Sequence, residues 1–544
     1  MSTDTPRPYT ARRFPGLPAY DAWQPPSAAD IAAASGRAGL GLSVEQVELF
    51  AGMAPAFRDP HERAARAWLE FRPLPRAMPS APGRDEWNAI AYQVDVKGAP
   101  EGPLAGLSIA VKETISVGAG APVGAGSALV AGHRAPFGST IASRALDAGA
   151  AIDYLGRADG LCVGIRGMNG YAGPVVNPWS TGHSTWGSSA GAAGLLGAGV
   201  VDAALHVCQA GSGMVVAAGT NTVAYKATRG LVPTTGVIGF HPLLDRITVS
   251  AREVGAVALL ASVISGGDGI DLLQGPNCPP VDLVSDLTRD VKGLRIGVVT
   301  ESLTTGPDGQ CEKAVADAVR AQAAELAALC GTELREVSIP DYTLAADVTM
   351  LLTLHAGVPM LLAGQLGTSP VIADGDPRLV RHFAQARAEH PELLADTVQL
   401  CASTAGFDGG QPSGYWGAVG QGLLPRVNAA FTAPFTTGGT DEVDLLVTPT
   451  TFKTPPSLTE ELTPEQTLAA DLGPGIRHTA MNWSGMPVIQ IPLPLVNGLP
   501  AGMQLTALHN RDQVLLDAAY ALQPAGGYEA APLNPRPHQE TPSS

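Results

Sequence analysis

The sequence is poor in charge, in aromatic rings and in cysteine. Charged residues fill 15% of its 544 positions and aromatic residues 5%, and the formal net charge is −16. No lysine- and arginine-rich cluster is present. A phosphate-binding surface needs such a cluster, so neither a nucleic-acid partner nor an anionic membrane face is expected. The six cysteines (Cys162, Cys208, Cys278, Cys311, Cys330 and Cys401) form no C-x-x-C pair. A chain this long needs no disulfide staples, so free thiols in a reducing, cytoplasmic setting are expected. The first sixteen residues lack the apolar segment of a secretory signal. Stretch 189–205 is apolar, but it is rich in glycine and reaches Asp202, so no membrane span is expected there.

Cofactor motifs are missing as well. There is no G-x-x-x-x-G-K-[ST] loop and no H-E-x-x-H, and no dinucleotide fingerprint follows a strand. No G-x-S-x-G elbow comes with a matching acid and histidine. His206 and Cys208 are two soft ligands without a partner pair, and buried packing is the better reading of both. The expectation is a protein with no metal and no cofactor.

What is abundant is apolar surface (45%), glycine (64 residues) and proline (46 residues). That composition predicts a large core with many turns. Residues 1–95 read as a helical preface. Ser43–Gln46 fits a capping box opening a helix to Phe57, and Asp59 is placed to cap a second helix reaching Phe71. Residues 96–525 form the main body, and 526–544 read as a loose tail. Within the body, strands are predicted over 107–111, 151–155, 293–300, 334–339, 443–447 and 488–491. Helices are predicted over 139–149, 311–330 and 377–401, the second ended by Gly331. The order strand 293–300, helix 311–330, strand 334–339 predicts a βαβ unit with a parallel sheet.

The chemistry is concentrated between Val111 and Gly230. Lys112 ends an apolar strand. A serine pair, Ser188 and Ser189, sits among glycines, and Ser212 follows 24 residues after Ser188 in Gln209-Ala210-Gly211-Ser212-Gly213. Taken singly, each serine is an ordinary turn or cap residue. In combination, with Lys112 and Ser188 76 residues apart, the segment resembles the amidase signature family. Other segments agree with that resemblance: Gly102–Leu107, Asn177-Pro178-Trp179, Lys226–Gly230, Asp444–Thr450, Asn482–Pro487 and Gly498–Gln504. It extends over roughly residues 100–525 and is closest in texture to the bacterial amidases that work beside nitrile hydratases.

The resemblance implies an α/β fold, with a central mixed twisted sheet sandwiched by helices and a small N-terminal helical region. It also implies roles. Ser212 attacks an acyl carbon, Ser188 (held by a cis peptide in the family) relays the proton, and Lys112 accepts it. The N–H groups of Gln209, Ala210, Gly211 and Ser212 occupy the family's oxyanion-hole positions. A free lysine ammonium, with a pKa near about 10.4, is no base at neutral pH, and burial is what disfavours its charge. The expected partner is a small amide or acyl substrate, and the family suggests a homodimer. Pocket walls are expected from segments near 133–137, 164–186, 355–385 and 450–485.

The chain departs from the pattern close to this site. Ala210 replaces a glycine, Gly213 and Met214 replace Ile and Arg, and Cys208 replaces the family's Asp. Asp and Arg at those two positions form an ion pair, so losing both is expected to leave no orphan charge. Thr248-Val249 replaces a Gly-Pro. Trp186 replaces a glycine and, with Met214 and Cys208, is expected to shape the pocket. Hydrolysis of a linear amide is the leading expectation. The alternatives are an acyl transferase or ring-forming enzyme, a non-catalytic scaffold, and an amidotransferase subunit.

Overall fold

The computed structural model describes residues 23–72, 75–305, 311–362, 374–406, 409–412, 414–438, 441–472 and 482–532. These residues divide into two compact units, one within Arg13–Arg76 and one from Ala77 onward.

The first unit holds three helices, α1 (Ala28–Ala38), α2 (Val44–Met53) and α3 (Arg58–Phe71). The capping box at Ser43 is formed: Ser43 Oγ accepts the Gln46 N–H at 3.3 Å, and Gln46 Oε1 accepts the Ser43 N–H at 2.9 Å. A second box, Ser27 with Asp30, opens α1. Asp59 does not cap α3. That helix follows directly on the 3₁₀ turn Ala54–Phe57, so Asp59 lies inside its first turn, where a carboxylate favours the helix dipole.

The second unit is built on one mixed sheet. In chain order its strands are β1 (Ala81–Pro82), β2 (Ile90–Val96), β3 (Ser108–Lys112), β4 (Ala151–Gly156), β7 (Ala203–Cys208), β8 (Val223–Lys226), β9 (Arg246–Ala251), β10 (Ile296–Val299), β11 (Arg335–Val337), β12 (Leu445–Pro449), β13 (Val488–Pro492) and β14 (Gly502–Thr506). The two short strands β5 (Val176–Asn177) and β6 (Ser180–Ser184) pair apart from it. Across the sheet the order is β1-β2-β4-β3-β7-β9-β8-β13-β14-β12-β10-β11. Strands β4, β3 and β7 run parallel, as do β12, β10 and β11, and antiparallel pairs join these two blocks. The sheet thus starts within the stretch assigned from sequence to the helical preface.

The helix Lys313–Cys330 connects parallel β10 and β11, and Gly331 ends it with φ 68°, so the βαβ unit is as expected. The long helix expected over 377–401 is two helices, Pro377–Glu389 and Asp396–Ala405. Pro391 breaks it: proline has no N–H and drives the residue before it out of helical geometry, and His390 has φ −139° and ψ 59°. The run Tyr342–Met360 is apolar and long enough to span a bilayer by length and composition. One face of it packs on the fold, with Tyr342 against Phe431 (ring centroids 6.0 Å apart) of the helix Tyr415–Thr432.

Core strands β3 and β7 are buried on both faces, which is why they read as continuous apolar runs. Helix α4 (Thr140–Asp147) precedes β4. Helix α5 (Ala190–Gly197), made only of Ala, Gly and Leu, crosses the sheet at close range. A Cβ on Gly191 would lie 2.1 Å from the Ala89 carbonyl oxygen and 2.2 Å from the Arg157 nitrogen. Only glycine lets this helix sit so close, and that closeness brings Ser188 and Ser189 to the ends of β3 and β7.

Candidate active site

Lys112 is the last residue of β3 and is fully buried. Its Nζ donates to Ser188 Oγ at 2.9 Å and to the Val207 carbonyl at 3.3 Å. Ser188, also fully buried, precedes α5 through a cis Gly187–Ser188 peptide. Ser212 stands after β7, in the turn that leads into α6 (Met214–Gly219). Its Oγ donates to the same Val207 carbonyl at 3.1 Å, and Ser189 Oγ does so at 3.4 Å. One carbonyl at the end of β7 therefore gathers the lysine and two of the serines. No hydrogen bond joins Ser188 Oγ to Ser212 Oγ directly among the described residues.

Ser212 is 7% exposed and opens onto a cavity, which Cys162, Ile165, Gln209, Ala210, Phe240 and Asp471 help to line. The turn beneath it is held by its own backbone: Met214 and Val215 donate to the Gly211 carbonyl at 2.7 and 3.0 Å, with Gly211 at φ 102°. The side chain of Gln209 has a fixed orientation. Its Nε2 donates to Asp245 Oδ1 at 3.0 Å, while Asp245 also accepts the N–H groups of Phe240 and His241. Burial raises Asp245 to about pKa 6. Glu113, next to Lys112, is buried beneath Gly124 and accepts the N–H groups of Ala158 and Gly126 at 2.8 and 3.0 Å; desolvation pushes its pKa up. Desolvation, with the Asp471 charge adding to it, also raises Asp159, to about 7.

The three residues expected to shape the pocket do not line this cavity. Trp186 (8% exposed) turns away and packs with Ile165, Ala193, Val215 and Val216. Val215 and Val216 lie on α6, so the ring fills space behind the cavity wall. Met214 is buried at the start of α6. Cys208 is buried beside Asn482, whose Nδ2 donates to the Cys208 carbonyl at 2.8 Å and to Leu244 O at 3.0 Å.

Nor is the loss of the Asp–Arg pair free of orphan charge. Cys208 lies opposite Arg246 in the β7–β9 pairing and close to Lys226. Lys226 donates to Asn482 Oδ1, and Arg246 donates to the Ala227 carbonyl. Both cations are buried, and desolvation lowers them, Lys226 to about pKa 7 and Arg246 to about 9. The direct acceptors of both are neutral oxygens, while the Asp512 charge acts on Arg246.

A second departure is compensated by volume. A Cβ on Gly213 would lie 2.6 Å from Thr248 Oγ1 and 2.8 Å from Thr248 Cβ. The larger residue on β9 occupies the space that a side chain at position 213 would fill.

Sequence reasoning missed the Val207 carbonyl, Asp245 and Asp471. A backbone carbonyl carries no residue-type signal. The two aspartates come from distant segments that only the fold brings to the cavity. Asn482 and Arg229 had a signal, since both lie in segments quoted for the resemblance, and they meet here: Arg229 Nη2 donates to the Trp483 carbonyl at 2.6 Å. The walls expected near 133–137 and 355–385 reach a second cavity, through His133, Phe137 and Asp376, and those near 164–186 and 450–485 reach the Ser212 cavity through Gly164 and Asp471. Residues 363–373 and 473–481 of those segments lie outside the described residues.

The chain belongs to the Amidase family, whose model matches residues 82–516. It is 29% identical over 522 residues to an enantioselective amidase of Rhodococcus rhodochrous, covering 93% of this chain and 97% of the relative. It is 31% identical over 441 residues to a glutamyl-tRNA(Gln) amidotransferase subunit from Salinispora arenicola, covering 79% and 85%. Among solved structures, 6-aminohexanoate cyclic dimer hydrolase superposes with a TM-score of 0.67 at 20% identity, covering 92% of this chain and 97% of that one. The peptide amidase of Stenotrophomonas maltophilia gives 0.63 at 22% identity, covering 80% and 85%. These two likenesses place the fold among amidase signature enzymes.

Proposed function

We propose that this member of the family hydrolyses an amide bond of a small molecule through an acyl-enzyme on Ser212. The observation that carries the reading is the 2.9 Å hydrogen bond between Lys112 Nζ and Ser188 Oγ, in full burial, one carbonyl away from a serine that faces a cavity. A serine hydroxyl attacks only when a base takes its proton. In this mechanism Ser212 Oγ turns from the Val207 carbonyl toward Ser188, and Ser188 passes its own proton to Lys112. Nucleophilic attack places negative charge on the substrate oxygen. The N–H groups of Gln209, Ala210, Gly211 and Ser212 are the donors assigned to it; those of Gly211 and Ser212 meet no acceptor among the described residues. Each such donor is worth about 3 kcal/mol to the transition state. Lys112 returns the proton to the leaving amine, and water then cleaves the ester by the same relay run again.

The amide reading rests on the family and on the relatives named above, several of which act on amides. The test is ammonia release from a panel of primary amides of short aliphatic, aromatic and amino acids. Turnover in the wild type that falls at least 10³-fold in Ser212→Ala and in Lys112→Ala supports the reading. Equal turnover in wild type and Ser212→Ala removes it.

A further inference from the structure

A second cavity shares no lining residue with the Ser212 cavity among the described residues. The turn 236–240 separates them: Gly236, Val237 and Ile238 face this one, and Phe240 faces the other. Thr114, two residues beyond Lys112, lines its floor. Thr114 Oγ1 is fully buried and has no hydrogen-bond partner. A buried hydroxyl left so is costly unless a further polar atom pairs with it.

Two carboxylates line the cavity. Asp374 lines the cavity and accepts the Gly236 N–H at 2.6 Å. The charges acting on it are Asp271 and Asp268, both repulsive, and with burial they raise it to about pKa 6. Asp376 is the other lining carboxylate. Its Oδ1 caps the helix Pro377–Glu389 through the Arg378 N–H at 3.0 Å, and its Oδ2 meets His133 Nε2 at 2.7 Å. The Arg378 guanidinium stands 3.8 Å from Asp376, and the His382 ring centroid is 5.7 Å from that of His133. No lysine or arginine is among the described residues that line the cavity. The remaining wall is apolar, with Phe137, Ile238 and Leu379 in it.

We propose that this cavity is a binding site for a primary alkylammonium, distinct from the acyl site at Ser212. The group has three N–H donors and a positive charge. Asp374 supplies the counter-charge that its surroundings withhold, Thr114 Oγ1 takes one hydrogen bond, and the alkyl chain lies on Phe137, Ile238 and Leu379. Such pairing stabilises an ionised buried carboxylate that is otherwise paired with nothing of opposite sign. An anion is disfavoured by the two carboxylates, and a wholly apolar guest leaves Thr114 unpaired.

The test is isothermal titration of the full chain with n-butylammonium chloride at pH 7.5 and constant ionic strength, with n-butanol as the neutral control. The expected result is saturable one-site binding of n-butylammonium, at least tenfold tighter than n-butanol. Asp374→Asn and the near-isosteric Thr114→Val each weaken it at least tenfold while keeping the wild-type circular dichroism, and Ser212→Ala leaves it unchanged. Three results overturn the proposal: n-butanol binding as well as the ammonium, binding that survives in both cavity variants, or no binding at all. Binding lost when Ser212 is sulfonylated, yet kept in Asp374→Asn, assigns the amine to the acyl cavity instead and equally overturns it. None of these outcomes depends on amide turnover.

Discussion

At the scale of single residues, the positions around Ser212 show two kinds of exchange. Gly213 and Thr248 trade volume across the contact between the Ser212 turn and β9. Gly213→Ile alone therefore overpacks the turn and is expected to cost about 1–3 kcal/mol in chemical denaturation. Adding Thr248→Gly is expected to recover most of that loss, since residues in contact couple strongly. Additive losses in the double variant contradict the volume exchange. Cys208 and Met214 are not balanced in this way, because Lys226 and Arg246 remain buried on neutral oxygen acceptors, with the Asp512 charge acting on Arg246. Lys226 is lowered in the fold from 10.5 to about 7. Between those values the unfolded chain binds the proton and the folded chain does not, so stability attributable to this group rises with pH through that window. Below about pH 7 both states hold the proton and the penalty is fully present. Lys226→Met removes the penalty, so its stability relative to wild type is expected to be highest at pH 6–7. That advantage falls toward pH 10 with a slope approaching about 1.4 kcal/mol per pH unit. A pH-independent difference contradicts the burial argument. The catalytic candidates themselves were legible because their residue types and spacing are specific. The charge left around Cys208 was not, because Lys226 and Arg246 approach it from other strands.

At the scale of elements, most strands and the helix Lys313–Cys330 were legible from apolar runs, helical spacing and caps. Gly331 has the left-handed φ of 68° that closes that helix. Gly331→Ala is expected to lower stability by about 1 kcal/mol, with Gly331→Asn intermediate, as measured by urea midpoint at constant m-value. The missed elements have local reasons. The box at Ser27 is completed by Asp30 instead of Glu or Gln. The helix after Pro377 stops because Pro391 outweighs the apolar spacing that continues past it. Strand β2 lies in a segment with mixed polarity, buried at Ile90, Ala91 and Val94 but exposed at Gln93 and Asp95, so its pattern did not stand out from the helices before it.

At the scale of the whole molecule, composition bounded the class, and the resemblance supplied the topology. Nothing in the local pattern gives a sheet in which β9 sits between β7 and β8, or in which β13 and β14 bridge to the last parallel block. Long-range pairing of that kind decides where the chemistry falls. It sets the Val207 carbonyl between Lys112 and Ser212, and it brings Asp245 and Asp471 to the cavity from segments far along the chain. The central claim is that Ser212 is a nucleophile activated through Ser188 by Lys112, and covalent labelling tests it most directly. Incubation with a fluorophosphonate, followed by peptide mass mapping, is expected to place a single adduct on Ser212, with the labelling rate falling at least 10²-fold in Lys112→Ala and in Ser188→Ala. An adduct on another residue, or an unchanged labelling rate when Lys112 is removed, contradicts the account.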